Sequence, residues 1–183
     1  MNEPGKVRRI IVIDEADRGV AILDAPSPDV RTDPARPGFA STRIWVNDTT
    51  PKVLSGLRET LDAPHILEPP PDGSVLRVYT FPPESTYIHD VGEDQVRAYF
   101  ESIGSPDAST FSASTPHPYM QQSDTLDLCF VTEGEITLVL DTEEVNLEAG
   151  TIVVQRATNH AWSNRSDKPC VVVISSHDAR RPA

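Results

Sequence analysis

The stretch from Gln121 to Asn164 constrains the fold of this chain more than any other. Polar and apolar residues alternate along it, and the alternation is interrupted at Glu133-Gly134 and at Ala149-Gly150. A period of two residues is typical of half-buried antiparallel strands, and glycine-containing breaks are typical of the turns between them. Each of the two predicted hairpins carries one polar residue of possible chemical use, Asp127 on the first and His160 on the second.

Strands are also predicted on both sides of this stretch. Residues 14–19 are predicted to form a turn, and residues 26–37, which contain four prolines, an extended loop. The predicted strands span residues 8–13, 19–23, 42–46, 75–81, 124–132, 135–140, 143–147, 151–156, 160–164 and 170–176.

One helix is predicted, beginning at Gly92. Two acidic residues follow this glycine, and they favour the positive end of a helix dipole. Apolar residues then recur at helical spacing, at Val96, Tyr99, Phe100 and Ile103. The pattern stops at Gly104, and we expect the helix to pack against the sheet or against a second subunit.

Composition limits the possible partners. The chain has 183 residues, a formal net charge of −12 and a pI near 4.7, which argue against a nucleic-acid or anionic-membrane partner. The first apolar run, residues 10–13, is too short for a signal peptide or a membrane span. Cys129 and Cys170 provide no disulfide framework and are expected to be buried and reduced. The sequence therefore predicts a soluble cytoplasmic protein with a single domain, residues 1–183.

The central stretch resembles the two motifs of the cupin superfamily. The first family motif runs G-x5-H-x-H-x3,4-E-x6-G and the second G-x5-P-x-G-x2-H-x3-N. On the first motif, Gly134 matches the final glycine, Asp127 falls on the Glu position, and Ser123 and Gln121 fall on the two His positions. On the second motif, the matching positions are Gly150, Ala157 at the internal glycine, His160 and Asn164. The opening glycine of the first motif is absent, Gln155 occupies the Pro position, and the segment from Gly150 to His160 is one residue short.

The resemblance implies an all-β fold, a single cupin jelly-roll barrel of antiparallel strands with one short helix. It places an N-terminal β extension and loops at residues 1–74 and the barrel core at residues 75–176. Cupins often pair through β extensions, so a homodimer is expected. The chain is also similar to a subgroup of small cupins with dehydratase-like members of polyketide pathways. The phrases that carry this second likeness are Arg36-Pro-Gly-Phe, Arg43-Ile-Trp-Val-Asn-Asp-Thr-Thr-Pro, Phe81-Pro-Pro-Glu, Asp124-Thr-Leu-Asp, Glu133-Gly-Glu-Ile and His160-Ala-Trp-Ser-Asn-Arg-Ser.

The ligand positions of the motifs bear on metal binding. A typical cupin metal site uses three imidazoles and one carboxylate, whereas only His160 and Asp127 stand at those positions here. Gln121 offers a carbonyl oxygen, and Ser123 is a poor ligand for a divalent transition ion. We therefore expect no metal cofactor. The alternative is one Fe, Zn or Mn ion held by Gln121, Asp127 and His160.

Residues 121, 123, 125, 127 and 129 share one side of the predicted strand. The cupin alignment directs that side into the barrel lumen, where His160 also points. A carboxylate and an imidazole that converge in an apolar cavity are suited to proton abstraction and return, or to loss of water. Asp127 and His160 are therefore the predicted catalytic residues, unless they only hydrogen-bond each other and close the barrel. Predicted substrate-binding residues are Gln121, Ser123, Trp45, Trp162, Arg156 and Tyr79.

The leading functional hypothesis is a metal-independent lyase or isomerase (a dehydratase, cyclase or epimerase). Its substrate is expected to be a small, apolar, oxygenated metabolite such as a polyketide intermediate. Two alternatives stay open. One is a metal-dependent cupin dioxygenase or decarboxylase, and the other is a cupin that binds a small molecule without turnover.

Overall fold

The computed structural model describes residues 5–14, 18–49 and 59–181. Within these residues the chain forms eleven strands and one α-helix. The strands are β1 (Arg8–Asp14), β2 (Gly19–Pro26), β3 (Val30–Thr32), β4 (Ala40–Asn47), β5 (Ser74–Phe81), β6 (Thr125–Glu133), β7 (Glu135–Leu140), β8 (Glu144–Glu148), β9 (Ile152–Arg156), β10 (His160–Ser163) and β11 (Cys170–Asp178). The helix, α1, spans Glu93–Ser102.

The strands pair antiparallel in three sheets. The largest has six strands in the order β3-β4-β5-β11-β6-β9, and a second has three in the order β10-β7-β8. The third is a two-stranded ribbon of β1 and β2, which forms the N-terminal β extension. The prediction of an all-β antiparallel fold with one short helix is confirmed. None of the helices within the described residues is long and apolar enough to cross a membrane.

The alternation of polar and apolar residues in the sequence corresponds to an alternation of exposed and buried side chains in the strands. Along β5, every second side chain is buried, among them Val75, Tyr79 and Phe81. In β6 the buried positions include Asp127 and Cys129, while Leu126, which directly precedes Asp127, is 36% exposed. Because successive side chains point to opposite faces of a strand, one face of the six-stranded sheet lines the interior.

Two residues with left-handed backbone conformations shape the turns around the central strands. Gly134 joins β6 to β7 with φ of 75°, and a Cβ atom added there would lie 2.9 Å from the carbonyl oxygen of Pro169. Ala157, which follows β9, also has a positive φ of 50°. This is the position of the internal glycine in the second cupin motif, so the conformation explains why that motif favours glycine.

Helix α1 closes one end of the interior. The side-chain oxygen of Gln95 accepts a hydrogen bond from the backbone N–H of Gly92 at 3.0 Å and so caps the first turn. Val96, Tyr99 and Phe100 are buried against the aromatic core, as the apolar spacing predicts. The helix ends before Gly104, which has φ of 71°.

Two connections predicted from the sequence lie in the N-terminal part of the chain. The predicted loop at residues 26–37 contains the short edge strand β3, which pairs with β4 through Val30↔Thr42 and its two neighbours. Proline-rich composition conceals this strand, although an edge strand tolerates flanking prolines. The predicted turn at residues 14–19 lies in part outside the described residues.

Candidate functional site

A cavity between the two larger sheets contains most of the residues that the sequence singles out. Its solvent-accessible volume is about 50 Å³. Polar residues of its wall come from β6, β9, β10 and the segment before β6, and aromatic residues come from β5, α1 and the loop before β4. The lining residues are Arg36, Phe39, Leu67, Tyr79, Phe81, Tyr99, Phe100, Tyr119, Gln121, Ser123, Asp127, Cys129, Gln155, His160, Trp162, Ile174 and Ser176.

Strand register brings the polar residues together. Asp127 on β6 lies directly across from Gln155 on β9 and from Ser176 on β11. Gln121 forms an isolated antiparallel bridge with His160, with backbone N–O distances of 2.8 and 3.0 Å in the two directions. The pairing fixes β10 to the segment that precedes β6, so His160 enters the same cavity as Asp127.

His160 is buried and held by three neighbours. Its Nδ1 lies 3.0 Å from the carbonyl oxygen of Thr158, and because a carbonyl oxygen only accepts, Nδ1 carries the proton. The lone pair is then on Nε2, which faces the amide nitrogens of Gln155 at 3.0 Å and Gln121 at 3.3 Å. The Gln155 amide nitrogen also lies 2.7 Å from Nδ1, but this contact is not a hydrogen bond when Nδ1 carries the proton, because both groups then donate. Trp162 packs edge to face on the imidazole, with ring centroids 6.3 Å apart.

Electrostatics keep this imidazole neutral. Burial lowers the pKa of His160 below its usual value of 6.5, while the hydrogen bond to Thr158 and the charge of Asp127 act in the opposite direction. The residue is 5% exposed, so the burial effect dominates. A neutral imidazole with its proton fixed on Nδ1 presents Nε2 as a base.

Asp127 is positioned by a short chain of hydroxyl groups. Thr125 Oγ1 donates to Asp127 Oδ2 at 3.0 Å, and Ser123 Oγ lies 2.9 Å from Thr125 Oγ1. The other carboxyl oxygen, Oδ1, is buried and has no hydrogen-bond partner among the described residues. The same is true of Gln155 Oε1 in the part of the chain that the structure describes. These two buried oxygen atoms can therefore each accept a hydrogen bond from a ligand.

An aromatic wall runs along the cavity from the loop before β4 to β10. Phe39 and Phe81 have ring centroids 5.6 Å apart, and Phe81 lies 6.4 Å from Trp162. Tyr79 stacks on Phe81 at 5.9 Å. Such a wall suits a ligand with an apolar or planar body.

Six of the eight residues predicted for the site line this cavity: Asp127, His160, Gln121, Ser123, Trp162 and Tyr79. The other two lie elsewhere. Trp45 is half-buried on β4, where its Nε1–H donates to Asn47 Oδ1 at 3.0 Å. Arg156 is exposed on β9, because its neighbour Gln155 takes the inward position.

The polar cavity residues Gln155 and Arg36 are not among the residues that the sequence predicts for the site. Gln155 stands at the proline position of the second motif, and its inward parity on β9 is a signal that the sequence contains. Arg36 belongs to one phrase of the family resemblance. It reaches the cavity from the loop between β3 and β4, and no spacing relates that loop to the motifs.

The remaining histidines and cysteines do not extend the site. His117 Nδ1 accepts a hydrogen bond from the backbone N–H of Tyr119 at 3.1 Å, and its Nε2 lies 3.4 Å from Glu84, outside the cavity lining. His65 is paired with Asp29 at 3.0 Å. Cys129 lines the cavity, but burial, followed by the nearby charge of Asp127, raises the pKa of its thiol to about 12. A thiol in that state is a poor nucleophile.

The donor set does not suit a transition-metal ion. One imidazole, one carboxylate and two amides surround the predicted metal position. Within residues 5–14, 18–49 and 59–181, no three His, Cys, Asp or Glu side chains form a group that could hold a metal ion. Sites for Fe, Zn or Mn ordinarily supply three or more such ligands.

Comparison with solved structures gives low overall similarity to several proteins, two of which are described as cupins. The putative ethanolamine utilization protein EutQ of Salmonella typhimurium is 8% identical, with a TM-score of 0.45 over 96% of this chain and 98% of that one. The cupin domain of Cnp3 from Schizosaccharomyces pombe is 7% identical, with a TM-score of 0.44 over 94% and 87% of the two chains. A cupin 2 conserved barrel domain protein from Salinispora arenicola is 14% identical, with a TM-score of 0.40 over 82% of each chain.

Sequence comparison is more specific. Two proteins of Diaporthe leptostromiformis, phomopsin biosynthesis cluster proteins C' and D, are each 48% identical to this chain over 48 residues, which is 26% of this chain and 25% of each relative. The chain thus spans about a quarter of the length of these curated relatives. Residues 108–176, which contain both motif regions and most of the polar cavity wall, match the family model described as Cupin domain. The sequence match to the cupin family covers this part of the chain, which is less than half of its length.

Proposed function

We propose that this protein is a metal-independent lyase or isomerase that acts by acid–base catalysis on a small, oxygenated, largely apolar metabolite. One observation carries the proposal: a buried, neutral imidazole presents Nε2 to the cavity that also holds the buried carboxyl group of Asp127. Desolvated acid–base pairs in a cavity with apolar walls are typical of active sites. The likeness to two phomopsin biosynthesis cluster proteins supports a role in a biosynthetic pathway.

In the proposed reaction, His160 Nε2 removes a proton from a carbon next to a substrate carbonyl group. The electron pair of the broken C–H bond moves to the carbonyl oxygen, and the resulting enolate accepts hydrogen bonds from Gln121 and Ser123. The carboxylate of Asp127 stabilises the imidazolium that forms, as the direction of its effect on the His160 pKa indicates.

The fate of this proton determines the reaction type. Return of the proton to carbon gives isomerisation or epimerisation. If the neighbouring carbon carries a hydroxyl group, the enolate electron pair forms a C=C bond, the C–O bond breaks, and the imidazolium proton leaves with the hydroxyl as water. Asp127 Oδ1 and Gln155 Oε1 are placed to accept a hydrogen bond from that hydroxyl, because neither has another donor among the described residues.

Deuterium exchange tests the proposal without knowledge of the natural substrate. The purified protein is incubated in D₂O with a panel of β-hydroxy and β-keto carbonyl compounds, and deuterium incorporation at the α-carbon is followed by NMR. We expect exchange with at least one compound, and loss of that exchange in Asp127→Asn and His160→Gln. His89→Gln and Asp107→Asn, the same substitutions at exposed positions, are the matched controls.

Exchange that survives both cavity substitutions would overturn the proposal. Exchange that disappears on chelation and returns with stoichiometric iron, zinc or manganese would favour a metal-dependent dioxygenase or decarboxylase. Ligand binding without any exchange would favour a non-catalytic binding cupin.

A further inference from the structure

Arg36 is a buried cation that the proposed acid–base chemistry does not use. It is 4% exposed and lies in the loop between β3 and β4, yet it lines the same cavity as His160 and Asp127. A buried guanidinium normally satisfies its N–H groups with carboxylate or carbonyl oxygens, because an unpaired buried donor destabilises the fold. The contacts of Arg36 therefore indicate whether it serves structure alone.

Asp33 fixes the side chain at one nitrogen. Arg36 Nε donates to Asp33 Oδ2 at 2.7 Å, and the hydroxyl of Tyr119 donates to the same oxygen at 2.9 Å. Asp33 Oδ1 accepts the backbone N–H of Ala35 at 2.9 Å. The carboxylate of Asp33 thus accepts hydrogen bonds from three donors. Its hydrogen bond with Arg36 is to Nε alone, and the two groups do not form a bidentate pair.

Aromatic rings cover the guanidinium. Its Cζ atom lies 3.8 Å from the ring centroid of Phe39, 3.7 Å from that of Tyr119 and 4.3 Å from that of Tyr99. These distances are those of cation–π contacts, which hold the plane of the group in place. Because the rings cover the faces of the guanidinium, a ligand oxygen can approach it in its plane, at the N–H groups.

The free donor is Nη2. This atom is buried and has no hydrogen-bond partner among the described residues. It belongs to a planar fork whose geometry matches the two oxygens of a carboxylate. The aromatic row of Phe39, Phe81 and Trp162 joins this end of the cavity to His160, with successive ring centroids 5.6, 6.4 and 6.3 Å apart.

We infer that the cavity binds a monocarboxylate, whose carboxylate group is held by Arg36 Nη2 and whose apolar body lies along the aromatic row toward His160. This inference deepens the proposed function, because it assigns a substrate class to the same cavity. An oxygenated carboxylic acid would then carry its anion at Arg36 and its reacting carbon near His160 Nε2. The aromatic cage makes Arg36 rather than exposed Arg156 the carboxylate-binding residue of this chain.

Calorimetric titration of the unaltered protein tests the inference directly. The probes are propionate, hexanoate, benzoate and cinnamate, each compared with its primary amide, which has nearly the same shape and no charge. We expect at least one acid to bind, and its amide to bind at least 10-fold more weakly, in keeping with the strength of charge-assisted hydrogen bonds. Equal affinities for acid and amide, or no binding by any of the four acids, would overturn the inference.

Variants then locate the binding group. Arg36→Met should abolish the preference for the acid, whereas Arg156→Met, which removes an exposed guanidinium from β9, should keep it. Because Arg36→Met leaves the buried Asp33 carboxylate without its cation, Asp33→Asn/Arg36→Met removes both charges and tests the same point in a neutral background. A preference that persists in either Arg36 variant, or that is lost in Arg156→Met, would contradict the inference.

These results separate the inference from the proposed function. Carboxylate binding that depends on Arg36, without deuterium exchange on any compound, would leave the inference standing and overturn the proposed function. Exchange that depends on Asp127 and His160, with no discrimination between acids and amides, would do the reverse.

Discussion

Asp127 and Gln155 face each other across β6 and β9, and each keeps one buried side-chain oxygen without a hydrogen-bond partner among the described residues. An unsatisfied buried acceptor costs about 1–3 kcal/mol, so this pair is unfavourable for the stability of the fold. Such a cost is typical of sites that are completed by a ligand, where function requires a polar group that packing alone would replace. Substitution of Asp127 should therefore affect activity and stability differently.

The first prediction follows from this difference. Asp127→Asn should lower the rate of α-proton exchange by about 100-fold or more, the usual size of a general acid–base contribution. The same substitution should leave the melting temperature unchanged or higher, because a buried carboxylate is replaced by a neutral group of similar shape. Exchange kinetics and thermal unfolding of one preparation provide both measurements. A near-normal rate with an unaltered melting temperature would show that Asp127 is not catalytic.

His160→Gln should cause a similar loss of exchange, and the double variant with Asp127→Asn should be little slower than either single variant. Residues that act on one proton transfer as a unit are non-additive, because the loss of one member already removes the step that the other assists. Multiplicative losses in the double variant would instead indicate two independent roles.

The motif spacing and strand parity were sufficient to predict much of this site. Asp127 and His160 were both found from the alternation of the central stretch together with the family resemblance. Gln155 was missed because its importance depends on the register between β6 and β9, which pairs it with Asp127. Register is a property of two strands, and one strand's sequence determines only which residues share a face.

The positions of Arg36 and Trp45 relative to the cavity could not be predicted from the sequence. Arg36 reaches the cavity through the loop after β3, a contact distant in sequence that no local pattern records. Trp45 alternates correctly along β4, but the register between β4 and β5 shifts between Arg43 and Trp45. A shift of this kind changes which face a side chain occupies, so parity fails as a guide beyond it.

The second prediction concerns the pH dependence of turnover. Burial lowers the pKa of His160 below 6.5, and the proposed base is the neutral form. The exchange rate should therefore be level around pH 7 to 8 and should fall as the pH decreases through the His160 pKa, on the acid side of 6.5. The profile of kcat/KM for the exchanging compound measures this fall. A rate that increases on acidification would contradict the assignment of His160 as the base.

The third prediction concerns a structural residue of the second motif. Asn164 is fully buried, and its side-chain nitrogen donates to the carbonyl oxygens of Phe81 and Lys168, both at 2.8 Å. Its side-chain oxygen accepts from the Ser166 backbone N–H at 3.1 Å. Asn164→Ala leaves these buried groups without partners and should lower the free energy of unfolding by about 2–4 kcal/mol.

Urea denaturation measures this loss, and Asn146→Ala serves as the control. Asn146 is exposed on β8, where it accepts one hydrogen bond from Thr137, so its replacement should cost less than about 1 kcal/mol. Similar losses in the two variants would indicate that burial of Asn164 contributes little.

The fourth prediction concerns stability and pH. Burial is the largest cause that lowers the pKa of His65, to about 4, and it also lowers the pKa of His160. Both histidines therefore bind protons more readily when the chain is unfolded, where the pKa is close to 6.5. Their contribution to stability is complete above pH 6.5 and is lost as the pH falls toward the folded-state values.

As the pH falls from 6.5 to 5, His65 should bind up to one proton on unfolding, so the free energy of unfolding should fall by as much as about 1.4 kcal/mol per pH unit, and His160 should add a fall of the same sign. Denaturation curves at several pH values give this slope. His65→Asn and His160→Gln should each reduce this slope, whereas His89→Gln, at an exposed position, should leave it unchanged. A slope that is insensitive to both buried substitutions would assign the acid sensitivity to other groups.

The last prediction uses the strained turn after β9. Ala157 has φ of 50°, a left-handed conformation that costs a residue with a Cβ atom about 1 kcal/mol or more. Glycine adopts this conformation without that cost, although it gains entropy in the unfolded chain, which offsets about 0.4–1 kcal/mol. Ala157→Gly should therefore stabilise the protein slightly, by up to about 1 kcal/mol.

Gly134→Ala is the comparison variant. Gly134 has φ of 75°, and the Pro169 carbonyl oxygen would lie 2.9 Å from the added Cβ, so this substitution should destabilise the protein by more than that amount. Opposite shifts in the midpoint of urea denaturation for the two variants are the expected result, and a loss of stability in Ala157→Gly would show that the turn after β9 is not strained.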